Sequence, residues 1–331
     1  MFLIYRIHGD LKEKIRELNQ VLLDKYSQIF SKDREFLRDF IGKHIGPIDT
    51  MKKLDKKHLA LYQARGGIVG VDGSTNTMGG AFPHFVQLFQ GLAKSTLIEK
   101  DDIFMSDLYS PLFTEASTNP LEKDEEVQTA KRNKLLSDIE LKVALESVKR
   151  HKPYGILMDG SLIRYNIYSA DLWKQLRQTC EEEGILLVGV IKDIKTSTIG
   201  DMLKEVYPNL SINAYDRELL FGILDYGEII YIRDQVSKKY EYDYSSVFMR
   251  SSQAPTVIGV DIIDSQKSHI EEMSRLVYTL TPENSRGVPL WLDLVDKEVQ
   301  ISDTIMEGLM EKYMDRGIYE RFFISERVKR N

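Results

Sequence analysis

Cysteine is nearly missing from this chain of 331 residues: Cys180 stands alone. One thiol excludes an internal disulfide framework and a thiolate zinc cluster, and at the end of an amphipathic stretch it reads as a core side chain. No apolar run reaches the eighteen or so residues that a membrane span needs. The opening MFLIYRIHGDLKEKIREL lacks the basic start, apolar stretch and small-residue cleavage site of a secretory signal, so a cytoplasmic location is expected. Low-complexity segments, long repeats and an obvious linker are also missing. Nor is the chain basic: 45 Lys and Arg face 51 Asp and Glu, for a net charge of −6. A nucleic-acid partner would have to be met by a local basic patch or by metal ions.

What is there is ordinary in bulk, 42% hydrophobic and 29% charged, and long enough to bury a large core. Residues 10–65 carry Leu18, Val21, Leu22 and Tyr26, then Phe36, Leu37, Phe40 and Ile41, at helical spacing. They predict two or three helices, a helical N-terminal extension over residues 1–65 ahead of one domain over 66–331. The texture changes at Gly67, where Ile68, Val69 and Val71 form a β-branched run suited to a strand buried on both faces. Strands over 82–98 and 103–108 follow after short turns, which predicts antiparallel pairing. A long helix over 125–150, a strand over 155–158, a helix over 170–183 stopped by Gly184, and a strand over 185–191 come next. Further strands are expected near 228–232, 247–250, 256–263 and 289–294, and a helix over 303–316. The order is that of a mixed α/β sheet flanked by helices.

Two stretches share one ending. GIVGVDGST at 67–75 and GILMDGSL at 155–162 are apolar strands that close on Asp-Gly-Ser. Asp-Gly alone is a common turn. A carboxylate at the carboxyl end of a buried strand, twice in one chain, faces the crevice where open α/β sheets bind ligands. If those strands are neighbours, Asp72 and Asp159 converge, and two like charges at close range call for a cation. Oxygen ligands without cysteine and with few histidines favour Mg²⁺ or Mn²⁺ over zinc. A third carboxylate is available on the helix LLSDIELKVALESVKR, where periodicity leaves Glu140 and Glu146 both open. Ser74 and Ser161 read as structural caps. Lys192 and Lys195, after the strand over 185–191, are candidates for touching phosphates.

The sequence resembles the NurA family of nucleases. The matching residues are GVDGS at 70–74, the helix glutamate, ILMDGSL at 156–162, VGVIKDIKTS at 188–197 and DRELLFGILDYGE at 216–228, and the likeness runs from about residue 65 onward. The resemblance implies an RNase H-like core and a metal-dependent deoxyribonuclease using Mn²⁺ or Mg²⁺. It implies 5′–3′ exonuclease or endonuclease action, or both, on single- and double-stranded DNA ends in double-strand break resection. It also implies a homodimer that works with a HerA-type hexameric ATPase. Asp72 and Asp159 match the family's strand aspartates, and Glu140, nineteen residues before Asp159, matches its glutamate better than Glu146. Near the C-terminus the family carries a Gly-Tyr stretch and then Ala-His. Here Gly317, Ile318 and Tyr319 are followed by Ser325 and Glu326. Glu326 thereby becomes the candidate replacement metal ligand, and Tyr319 a candidate for part of the tyrosine's role at the substrate. Two rival readings stand beside this one: an RNase H-like scaffold that binds DNA or a partner without strong catalysis, and an ATP-binding enzyme of the actin and sugar-kinase type.

Overall fold

The Asp-Gly-Ser strands lie side by side at the centre of a nine-stranded sheet. This computed structural model describes residues 9–30, 33–80, 82–114, 125–209 and 213–324. Helices α1 (Gly9–Phe30) and α2 (Arg34–Phe40) lead through a π-turn to strand β1 (Ile48–Thr50) and α3 (Lys56–Ala64). Strands β2 (Ile68–Gly79), β3 (Phe85–Ser95) and β4 (Ile103–Tyr109) follow, then a short α4 (Pro111–Thr114) and the long α5 (Glu125–His151). Next come β5 (Gly155–Asp159), α6 (Ile163–Tyr168), α7 (Ala170–Glu183), β6 (Leu186–Ile191), α8 (Thr198–Val206) and α9 (Asp216–Leu219). The last part holds β7 (Glu228–Tyr231), β8 (Tyr244–Met249), β9 (Ile258–Ile263), α10 (Ile270–Leu280), α11 (Leu290–Val299), α12 (Asp303–Tyr313) and α13 (Arg316–Phe322). Among the described residues no helix is long and apolar enough to cross a membrane.

The strand order is β1-β7-β8-β9-β6-β5-β2-β3-β4. Within it, β2, β3 and β4 form an antiparallel meander, while β5 pairs parallel with β2 and β6 parallel with β5. An antiparallel three-strand meander with two parallel strands added beside its first member is the RNase H-like core. Strands β9, β8, β7 and β1 extend it antiparallel on the other side.

Two apolar layers cover the sheet. On one face α5 and α7 bring Leu141, Val143, Ala144, Val148, Trp173, Leu176 and Cys180 against Val69, Val71, Ile156, Met158 and Leu187. On the other, α10 and α11 bring Met273, Leu276, Val277 and Leu292 against Leu157, Val188 and Val190. Residues alternate between faces along each strand, which explains why these central strands read as continuous apolar runs. Cys180 is buried in the first layer, as its sequence context predicts.

Most predicted elements fall within a few residues of their observed bounds, and Gly184 ends α7 in the left-handed conformation at φ 65°. Three differ. Residues 289–294, read as a strand, begin α11 instead. Leu292, Val295 and Val299 at helical spacing form its buried stripe, a pattern that a six-residue window cannot show. The helix expected over 303–316 stops at Tyr313, and α13 restarts at Arg316 with Asp315 accepting from Ile318 N at 3.0 Å. The third is β1, whose three residues pair with β7 inside a segment read as helical.

Gly189 on β6 tests how tightly the second motif is seated. A Cβ there would lie 2.6 Å from the Gly160 carbonyl oxygen and 2.9 Å from Leu162 Cγ. Gly189→Ala should therefore push the Asp159–Ser161 turn off the sheet and destabilise the fold by about 1–3 kcal/mol. A thermal melt checks this; an unchanged melting temperature would mean that the turn does not rest on Gly189.

Candidate metal centre on the central strands

Register brings the carboxylates together. Val71 on β2 pairs with Met158 on β5, so one step further on Asp72 and Asp159 are neighbours on adjacent strands. Alternation then fixes which way each points. Gly70 lies under Trp291, Leu292 and Val295, whereas Gly73 lies under Leu136 and Glu140. Asp72 is two residues from Gly70 and shares its face, toward α11.

Helix α11 supplies a carboxylate of its own. Oxygens of Asp72, Asp159 and Asp296 all lie within 4.8 Å of one another. Asp296 sits one turn beyond Leu292 on α11, and the helix is tied to β2 from its far end, where Ile301 N donates to Ser74 Oγ at 3.2 Å. The first Asp-Gly-Ser serine is therefore a tether for the segment that carries the third carboxylate. Its counterpart Ser161 donates to Asp261 Oδ2 at 2.6 Å. Asp261 on β9 is itself buried and held by Lys239 Nζ at 2.7 Å and Ser246 Oγ at 2.7 Å. Both serines are structural, as the sequence predicts.

Glu140 approaches from the opposite face. It is 1% exposed and reaches the sheet over Gly73, where a Cβ would come within 2.7 Å of its Oε1. Glycine is needed here for close approach. Glu140 Oε2 accepts from Arg164 and, at 2.8 Å, from Tyr165 OH. Arg164 also donates to the Asp159 carbonyl at 3.1 Å, which links the two sides of the site. Glu146 faces Lys149 on the helix surface instead. Lys192, just past β6, donates to Asp159 Oδ2 at 2.5 Å.

The remaining predicted residues lie elsewhere. Lys195 is exposed and lines a separate cavity of about 290 Å³ with Thr196, Ser197 and Lys239. Tyr319 is packed against Val86, Met306 and Met310, beside Thr77 and Met78 toward the far end of β2. Glu326 lies outside the described residues. Sequence reading missed Asp296 because its segment was taken for a strand. The signal was present in LWLDLVDKEV, where a helix seated on Leu292, Val295 and Val299 puts Asp296 at the flank of the buried stripe.

The electrostatics match a cation site. Burial, then Asp159 and Glu140, pushes the Asp72 carboxyl up to about 8. Burial also raises Glu140, against the pull of Arg164 and Tyr165. Glu140 Oε1 is buried with no hydrogen-bond partner. Clustered carboxylates of this kind, with oxygen-only donors, fit a hard divalent cation. Asp72, Asp159 and Asp296 would hold it, with Glu140 behind Gly73.

Comparison with known proteins now bears on the family. The NurA domain profile matches residues 66–301, well over half of the chain. The chain belongs to the NurA family. Its fold is similar to that of the NurA nuclease from Sulfolobus solfataricus, with 13% identity, a TM-score of 0.57, and coverage of 92% of this chain and 96% of that one. A NurA crystallised with dAMP and manganese is similar as well, with 10% identity, a TM-score of 0.55, and coverage of 93% and 99%. Among curated proteins, none matches the sequence. Membership of the NurA family displaces the ATP-binding reading of the first Asp-Gly-Ser loop.

Asp72 makes the metal-free protein sensitive to pH. Its folded-state carboxyl, raised to about 8 from an ordinary 3.8, holds a proton that the unfolded chain releases. The stability that this proton contributes is complete below about pH 4 and is lost as pH rises toward 8. Asp72→Asn keeps the shape without the charge. In metal-free buffer it should match wild type near pH 4 and melt roughly 3 °C or more above it at pH 8.5. Equal melting at both pH values would show that burial and the neighbouring carboxylates do not raise Asp72.

Proposed function

We propose that the chain is a metal-dependent deoxyribonuclease that hydrolyses phosphodiesters where Asp72 in the middle of β2 and Asp159 at the end of β5 meet α11. The observation that carries this reading is the convergence of Asp72, Asp159 and Asp296, whose oxygens lie within 4.8 Å of one another, in a chain of the NurA family. Mn²⁺ or Mg²⁺, when bound, supplies Lewis acidity and a water of lowered pKa. The chain's own groups do the rest. Asp72 and Asp159 offer carboxylates from rigid central strands, and Asp296 offers one from a helix that packs on the same face. Glu140 adds negative charge from behind Gly73, and Arg164 holds it in place. Lys192, beside Asp159, is placed to meet a phosphate oxygen. Lys195 remains a candidate phosphate contact from its place after β6, and Tyr319 and Glu326 remain assigned to substrate and metal through the family resemblance alone.

On the same reading the substrate is a DNA end, single- or double-stranded, cut by 5′–3′ exonuclease or endonuclease action during break resection in the cytoplasm, with a HerA-type hexameric ATPase as partner. The N-terminal extension over 1–65 supports a homodimer. Leu11, Ile15, Leu18 and Leu22 on α1 are 41–58% exposed and fall at alternating spacings of four and three, the seam of a helix awaiting another helix. A second reading, an RNase H-like scaffold that binds without cutting, has one observation in its favour. Arg164 and Lys192 already stand against Glu140 and Asp159, where they neutralise part of the site.

Incubation with labelled linear single- and double-stranded DNA and Mn²⁺ separates the two readings. Wild type should cut, and Asp72→Ala and Asp159→Ala should each lose on the order of 100-fold or more in rate. Asp296→Asn should weaken Mn²⁺ binding measured by calorimetry as well as cleavage. Intact DNA with wild type, despite retained strand binding, would favour the binding scaffold.

A further inference from the structure

Beside the carboxylates lies a cavity that metal chemistry does not use. It measures about 530 Å³, within the usual range of about 300–1,000 Å³ for small-ligand sites. It opens off the carboxyl end of β6, the edge at which open α/β sheets bind ligands. Its walls come from distant parts of the chain. Tyr26 belongs to α1, Lys192 follows β6, Arg217 is on α9 and Phe221 just after it, and Val257 precedes β9. Lys192 is shared: it lines the cavity while its Nζ lies 2.5 Å from Asp159 Oδ2. Whatever fills the cavity therefore sits one side chain away from the proposed scissile phosphate.

The chemistry of the walls names the occupant. Phe221 is 59% exposed, a large aromatic ring left facing solvent, and Val257 and Tyr26 offer further apolar surface. The rim is hydrogen-bonding and mixed in charge, with Lys192 and Arg217 beside Asp193 and Glu218. Arg217 spends Nη1 on Asp193 at 3.1 Å, and a guanidinium carries five N–H donors in all. An apolar slot with an exposed aromatic and a rim of both donors and acceptors fits a flat heterocycle with a polar edge, and Lys192, on the side of Asp159, is placed for the phosphate that it trails.

We propose that this cavity takes one unpaired nucleobase of the bound strand, adjacent to the phosphate held at the carboxylates. The proposal rests on the nuclease reading above and sharpens its substrate. A paired base is stacked within its duplex and cannot enter a side pocket, so the strand must be single or frayed at that nucleotide. Stacking on Phe221 is tolerant of sequence because every base has a π-face. Lys192 and Arg217 on either side of the pocket would set the spacing between base and phosphate.

The test uses the full chain in Ca²⁺ and measures binding of a fluorescent single strand by anisotropy. A set of strands carries one abasic site moved nucleotide by nucleotide along the strand. One position should matter, weakening binding roughly tenfold when its base is removed. Phe221→Ala should weaken the intact strand by a similar factor and leave the strand abasic at that position unchanged. The exposure of Phe221 makes loss of fold by this variant unexpected, and its melting temperature, equal to wild type, confirms that. No position-dependent loss, or equal weakening of intact and abasic strands by Phe221→Ala, overturns the pocket. A base requirement without any cleavage in Mn²⁺ keeps the pocket and removes the nuclease reading. Cleavage with no base requirement does the reverse.

Discussion

Everything at this site follows from mutual repulsion among carboxylates that the fold forces together. Asp72 and Asp159 are consecutive in the parallel register of two central strands, Asp296 is pressed toward them by α11, and Glu140 is buried behind Gly73. Asp72, Asp159 and Glu140 cannot retreat, because each is anchored on an element whose apolar residues fill the main cores, whereas Asp296 closes the site from its exposed side, within 3.3 Å of Arg286. Burial first, and then the charges of Asp159 and Glu140, raise the Asp72 carboxyl to about 8. Clustered negative charge in a partly desolvated place is an unfavourable state that a cation relieves. The free energy of that relief is what gives a divalent ion its affinity.

Backbone detail makes the crowding geometrically possible. A side chain at Gly73 would collide with Glu140, and one at Gly189 would collide with the turn that follows Asp159. Gly160 adopts φ 117°, a conformation that L side chains rarely take. The serines finish the task by separate routes. Ser74 holds the chain beyond α11, and Ser161 reaches the buried Asp261–Lys239 pair on the neighbouring part of the sheet. The repeated Asp-Gly-Ser serves two local geometries: Asp72 lies mid-strand, where β2 runs on to Gly79 and Gly73 admits Glu140, whereas Asp159 ends β5 and Gly160 makes the turn; in both, the serine tethers a neighbouring element.

Sequence alone was informative wherever the signal is local. The two Asp-Gly-Ser aspartates, the β-branched runs, the long helix and the glycine stop of α7 are all written in a few adjacent residues, although β2 runs on past Asp72 where the motif suggested a turn. It was weaker where the deciding contact is remote. Asp296 enters the site only because α11 packs on Gly70, and a six-residue apolar run cannot say whether it is a strand or the start of a helix. Glu140 and Glu146 lie on the same helix, and only the tertiary fit of α5 over Gly73 separates the one that meets the sheet from the one that meets Lys149. Strand β1 escaped because three residues carry no periodicity; β7 defines it by pairing. Tyr319 was placed by analogy with a family motif, and its apolar neighbours are decided by how α12 and α13 fold back on β2 and β3.

The two strand aspartates are not equivalent, and the difference points to how the site divides its work. Asp159 has a cation of its own, Lys192, and its backbone carbonyl is gripped by Arg164. Among the described residues Asp72 accepts a hydrogen bond from the backbone N–H of Gly73 alone, at 2.8 Å, and it is the carboxyl pushed up to about 8. A cation entering the site therefore gains most from Asp72, which has no side-chain partner to give up, whereas at Asp159 it competes with an ammonium. Were Asp159 to hold a cation, Lys192 would give up that carboxylate and would be free to face both the phosphate and the base cavity that it lines, so that one lysine would couple the two.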